Sequence, residues 1–81
     1  MKLRLRLFAV ARQLAGADCI EVDLPDGATL GQLRAALAAH VPALAPMVKN
    51  LMFAVDAEYR RDETVLGPEA DVACIPPVSG G

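Results

Sequence analysis

Between residues 2 and 7 the chain alternates strictly, with Lys2, Arg4 and Arg6 on one side and Leu3, Leu5 and Leu7 on the other. A repeat of two is the side-chain period of a β-strand, and the split into leucine and base predicts one buried and one solvated face. The fold must therefore contain a sheet covered on one side only. Residues 19–24 repeat the pattern, Ile20, Val22 and Leu24 alternating with Cys19, Glu21 and Asp23, and end at a Pro25-Asp26-Gly27 turn. The two strands are expected to pair antiparallel. Phe8 falls on the basic side of the first strand, which leaves two readings of it: a contact residue set among charges, or a strand end folded over the sheet edge. Residues 11–15, closed by Gly16, read as a short helical turn.

The cover for the sheet follows the turn. Thr29 with Gln32 three residues on forms a capping box, so a helix should begin at Leu30. Leu30, Leu33 and Leu37 make its apolar stripe, with Ala36 beside it and Gln32, Arg34 and Ala35 turned away. Val41-Pro42 ends the helix, because the residue before proline is driven out of the α region. Residues 43–50, interrupted by Pro46, read as an irregular connection with at most one short turn. Residues 51–55 suit a strand, and Asp56-Ala57 turns it into a second short strand at 58–60. The Arg60-Arg61-Asp62-Glu63 run reads as a solvated charge cluster. Gly67-Pro68 with Glu69 and Asp71 marks a loop, and residues 72–75 form the last strand. The whole is an α+β domain over residues 1–75, a mixed sheet with one main helix across one face, as in the ubiquitin-like β-grasp. An extended C-terminal tail, residues 76–81, protrudes from it.

Totals narrow the function more by exclusion. Eighty-one residues make one domain, just large enough for a single hydrophobic core without disulfides or metals. A net charge of −2 argues against nucleic acid as a partner. No apolar run is long enough to cross a bilayer, and the alternating N-terminus does not resemble a signal peptide, so a cytoplasmic protein is expected. Cys19 and Cys74 are then expected to stay reduced, with Cys74 a buried core thiol beside Val72. His40 is the one histidine and suits the end of the helix, which excludes a histidine metal cluster or an imidazole relay. There is no phosphate-binding lysine loop, no dinucleotide fingerprint and no Cys-X-X-Cys motif. An active site contained within this chain is not expected.

The chemistry left is that of the C-terminus. Two final glycines occur by chance in about one chain in 200. Without Cβ atoms, Gly80 and Gly81 can pass through a narrow channel in a partner enzyme. Pro76-Pro77 has no N–H to continue a sheet and holds the departing segment extended. A free carboxylate is a poor electrophile, so chemistry at Gly81 requires activation, most simply by an ATP-using partner that forms an acyl-adenylate. A nucleophile such as sulfide then displaces AMP.

The terminal Pro-Pro-Val-Ser-Gly-Gly, the chain length, the first strand with Phe8-Ala9 and Arg12, and the Asp71-Val72-Ala73 run together resemble the small, sulfur-carrier subunit of molybdopterin synthase. The resemblance extends over essentially the whole chain. It implies a β-grasp fold and a thiocarboxylate on the last glycine. Gly81 would be adenylated by a ubiquitin-activating-like adenylyltransferase and sulfurated, with Gly80 giving clearance. The chain itself would bind no cofactor; ATP is used by the activating partner. The tail, Pro76, Pro77, Val78, Ser79, Gly80 and Gly81, would enter the large synthase subunit, in a heterotetramer of two small and two large chains. There two sulfurs, delivered in successive rounds, convert cyclic pyranopterin monophosphate into the dithiolene of molybdopterin. Phe8, Tyr59 and Ile75 match positions at which this family presents apolar side chains to partners, and Arg12 with the basic strand face would steer an acidic partner surface. The family often carries aromatics just before the proline pair, where this chain has Cys74-Ile75. Three other readings stand beside it: the related carrier of thiamine synthesis, a ubiquitin-like modifier joined through Gly81 to lysines, and an interaction domain with an inert tail.

Overall fold

A computed structural model describes residues 1–77. Five strands form one mixed sheet in the order β2-β1-β5-β3-β4. The first two, β1 (Lys2–Leu7) and β2 (Cys19–Asp23), pair antiparallel, with Leu3 opposite Val22 and Leu5 opposite Ile20. The last, β5 (Val72–Ile75), lies in the middle, parallel to β1 and antiparallel to β3 (Met52–Val55). The two-residue β4 (Glu58–Tyr59) closes the far edge. The first and last strands thus lie side by side at the centre of the sheet, the β-grasp arrangement that the alternation and the single capped helix predict.

Alternation decides which face is covered. Leu3, Leu5 and Leu7 are at most 2% exposed, and Val72, Cys74 and Phe53 continue the same inner face across the sheet. Helix α2 (Leu30–His40) lies on it through Leu30, Leu33 and Leu37, all fully buried. Its capping box forms as expected: the Gln32 amide donates to Thr29 Oγ1 at 3.3 Å, and the Thr29 amide to Gln32 Oε1 at 2.8 Å. The next two orphan amides of the helix find backbone acceptors in the loop before β5. Leu30 N–H donates to Thr64 O at 2.9 Å and Gly31 N–H to Asp62 O at 3.0 Å. That loop is held in turn by Leu66, buried in the core, whose N–H donates to Ala28 O.

Three local expectations change. Helix α1 spans Ala9–Ala15, two residues earlier than the Gly16 signal marks, with Gly16 as its left-handed cap at φ 73°. The stretch read as irregular is a nine-residue 3-10 helix, Pro42–Asn50, anchored by fully buried Leu44. Pro42 suits its first turn, where the missing N–H leaves nothing unsatisfied. The charge run at residues 60–63 is only partly a solvated cluster, because Asp62 is tied to Arg34 of α2.

Candidate functional site

Cross-strand register places the outer face of the sheet as directly as the inner one. Residues directly opposite one another share a face, so Arg6 and Ala73, Ala54 and Tyr59, and Ile75 and Met52 all project away from α2. Ala73 and Ala54 lie low between larger neighbours, and around them Met52 is 44% and Tyr59 60% exposed. Ile75 and Pro76 are half-buried, and Pro77 is exposed. An apolar surface therefore surrounds the place where the chain leaves β5.

Phe8 joins this surface and satisfies both readings of it. Its N–H donates to Cys74 O at 3.2 Å, prolonging the β1–β5 pairing by one residue, and its carbonyl accepts from Ala11 and Arg12 as α1 begins. The strand does end here, yet the ring stays 42% exposed. The Arg6 guanidinium stands 5.8 Å from the ring centroid, a cation–π distance. Arg6 is itself fixed by a bidentate pair to Asp71, Nε at 3.0 Å and Nη2 at 2.9 Å. Asp71 is fixed by Asp56 in turn: Asp56 N–H donates to its carbonyl at 2.8 Å, and its own N–H donates to Asp56 Oδ1 at 3.1 Å. The chain of contacts from the β3–β4 turn to Phe8 holds an exposed aromatic in one place.

Of the residues singled out in the sequence, Phe8, Ile75, Pro76 and Pro77 converge on the tail exit. Tyr59 lies on the same face but on the edge strand, separated from β5 by β3. Arg12 sits on α1, 3.6 Å from Asp18, and lines a shallow pocket with Phe8, Arg4, Arg6 and Cys19. Val78, Ser79, Gly80 and Gly81 lie outside the described residues.

The profile of the ThiS family matches residues 5–81. The chain belongs to the ThiS family. It is 39% identical to a protein of Chlamydomonas reinhardtii named molybdopterin synthase sulfur carrier subunit, over the full length of both chains. Among solved structures, SAMP1 from Haloferax volcanii superposes with a TM-score of 0.85 at 26% identity over all of both chains. A putative molybdopterin converting factor, subunit 1, from Pyrococcus furiosus gives 0.85 at 27% identity, covering 96% of this chain and 99% of its own. These ubiquitin-like neighbours share the five-strand mixed sheet.

The ThiS-family chain keeps its two thiols apart. Cys74 pairs with Leu7 on the inner face and is fully buried, whereas Cys19 is opposite Arg6 on the outer face and half-exposed; both are free. Burial pushes the Cys74 thiol up from 9.0 to about 11, against a smaller downward pull from the Arg34 guanidinium, so it is protonated and unreactive at neutral pH. Among the described residues no three metal-ligating side chains cluster, and no helix is long and apolar enough to cross a membrane.

Two residues escaped the sequence reading. Met52 links Ile75 to Tyr59, but residues 51–55 look uniformly apolar; only the Met52/Ala54 against Phe53/Val55 alternation distinguishes the faces. Arg34, placed on the helix's outer side, instead bends inward. Its Nη1 donates to Val48 O at 2.6 Å and Leu51 O at 2.8 Å, while Nε and Nη2 hold Asp62 at 3.3 and 2.9 Å. Its guanidinium lies 5.0 Å from the Phe53 ring centroid. No local pattern marks a helix arginine that bonds two carbonyls in a later segment.

Proposed function

We propose that this chain is the sulfur carrier subunit of a molybdopterin synthase. The observation that carries the reading is the departure of the chain from the central strand β5 at Pro76-Pro77, beside an apolar surface containing Phe8, Ile75 and Met52. Likeness to named carrier subunits over the whole chain supports it. The domain acts as a handle: it offers a docking face and delivers the carboxylate of Gly81 into active sites built by other proteins.

In this account a ubiquitin-activating-like adenylyltransferase binds the outer face and admits the tail. The Gly81 carboxylate attacks the α-phosphorus of ATP and pyrophosphate leaves. Hydrosulfide then attacks the acyl carbon and AMP leaves, giving the thiocarboxylate. The large synthase subunit uses the same face, and sulfur passes from Gly81 to cyclic pyranopterin monophosphate within that subunit, water adding to the Gly81 acyl carbon as its bond to sulfur breaks and so restoring the carboxylate. Gly80 leaves room around the reacting carbonyl because it has no Cβ. The two partners share one face, so the carrier must leave the first before engaging the second.

The test is removal of the last two residues. Truncation after Ser79 should change stability by no more than about 0.5 kcal/mol, as for changes away from packed features, and abolish sulfur delivery with the large subunit present. Full delivery by the truncated chain contradicts the proposal.

A further inference from the structure

The basic row of β1 is answered carboxylate by carboxylate. Lys2 stands opposite Asp23 and Arg4 opposite Glu21 in the β1–β2 register, Arg12 lies 3.6 Å from Asp18, and Arg6 is bound side-on by Asp71. Glu69 adds a further carboxylate beside Arg4 and Arg6. This part of the outer face therefore holds no net positive field to select an acidic partner. Arg6 differs from the other three cations in being held by two hydrogen bonds in one geometry. Both members of that pair are half-exposed, so its contribution to stability is small.

The clamp leaves part of the guanidinium unused. Asp71 takes Nε and Nη2, and Nη1 has no acceptor among the described residues. Side-on pairing turns Nη1 away from Asp71. Arg6 also divides two hollows: one of about 290 Å³ that it lines with Asp71 and Glu69, and one of about 300 Å³ that it lines with Phe8 and Arg12 but without Asp71. The Phe8 ring centroid is 5.8 Å from the guanidinium. A protein that covers the ring must therefore cover the guanidinium too and strip water from it. A donor covered without an acceptor costs its full desolvation, whereas the ring accepts any apolar surface.

We propose that Arg6 determines which protein surfaces this carrier accepts, donating from Nη1 to a neutral oxygen, a backbone carbonyl of the receiving protein seated beside Phe8. The role rests on docking of the large synthase subunit at this face, and it names what that subunit must bring there. Asp71 compensates the Arg6 charge, so a carbonyl suffices. A carboxylate in the same place would approach Asp71 and Asp18, each already beside a guanidinium, and like charges brought together at an interface are costly. The clamp also fixes the side chain before docking, which lowers the entropy lost on binding. Phe8 supplies apolar contact and Arg6 the selection.

The test measures affinity of the full chain for the large synthase subunit by calorimetry, at about 0.05 M and about 0.5 M salt, with folding checked by amide spectra. Asp71→Asn loosens the clamp and makes the chain less negative. It should weaken binding at least about threefold, whereas a face that merely attracts acidic partners would bind more tightly. The Arg6→Gln/Asp71→Asn double variant keeps the net charge and removes the fork, and should weaken binding at least about fivefold, by the same factor at both salts. In a Phe8→Ala background the double variant should cost that factor again, because Arg6 makes a contact of its own. Tighter binding of Asp71→Asn, or variants equal to wild type, would overturn the proposal. So would a loss that shrinks at high salt, which assigns a carboxylate to Nη1, or a loss that vanishes with Phe8, which reduces Arg6 to a support for the ring. Variants equal to a wild-type chain that binds leave the docking face standing; a wild-type chain that does not bind overturns both.

Discussion

Replacing Arg34 with alanine should destabilise this protein more than any other single change to a charged side chain. Its side chain is 20% exposed and bonds the carbonyls of Val48 and Leu51, the acceptors at the end of the 3-10 helix and the start of β3. Hydrogen bonds to a charged group contribute about 1.5–3 kcal/mol each. The Asp62 partner is half-exposed, so that ion pair adds no more than about 1 kcal/mol, and the guanidinium over the Phe53 ring a similar amount. Water reaches part of the vacated site, and the losses are not additive, which brings the total to about 3 kcal/mol. For a chain of this length each kcal/mol moves Tm by about 6 °C, a fall of roughly 18 °C. Urea unfolding should show a lower midpoint with an unchanged slope. Arg34→Lys should recover less than half of the loss, because one ammonium cannot serve both carbonyls and the Asp62 fork. A cost below about 1 kcal/mol for Arg34→Ala would refute the claim that this residue joins α2 to the 3-10 segment and β3.

Other consequences follow from single observations. Phe8→Ala should weaken binding to the large subunit by at least about tenfold, as for an aromatic anchor, while lowering Tm only slightly; the reverse pattern, measured by calorimetry and melting, would make Phe8 a core residue. Ala57 sits at φ 70° in the β3–β4 turn after Asp56 at φ 50°, the pair of positive values that a type I′ turn requires, so Ala57→Gly should stabilise by about 0.5–1 kcal/mol in urea unfolding, and destabilisation would show that the turn is unstrained. The raised Cys74 pKa means that the folded chain holds a proton the unfolded chain releases: its contribution is whole below pH 9 and falls by about 1.4 kcal/mol per pH unit until about pH 11. Cys74→Ala should therefore flatten the alkaline fall in stability over that window, and equal slopes in the two proteins would contradict it.

Much of the fold was legible because its signals are local and mutually consistent. The leucine alternation of β1 places one face in the core, the Thr29/Gln32 box starts α2, and Val41-Pro42 stops it, each through interactions within a few residues. The 3-10 helix was not legible: two prolines argue against a helix, and what holds the segment is the burial of Leu44 and the two carbonyl bonds to Arg34, both decided by tertiary packing. The candidate face was half legible. Phe8 and Ile75 stand out by alternation or position, but Met52 requires the register of β3 against β5. The Asp56–Asp71–Arg6 relay that steadies Phe8 joins residues 65 positions apart along the chain at its longest step, and nothing in either neighbourhood announces it.

The central claim is that Gly81 carries the transferred sulfur, and intact mass spectrometry tests it most directly. The full chain, incubated with a ubiquitin-activating-like adenylyltransferase, ATP and a sulfur donor, should gain the mass of one sulfur in exchange for one oxygen, located at the C-terminal residue by fragmentation and absent without ATP. A chain that stays unmodified while the adenylyltransferase is active on a known carrier, or that is recovered with Gly81 in isopeptide linkage to target lysines instead, would contradict the account.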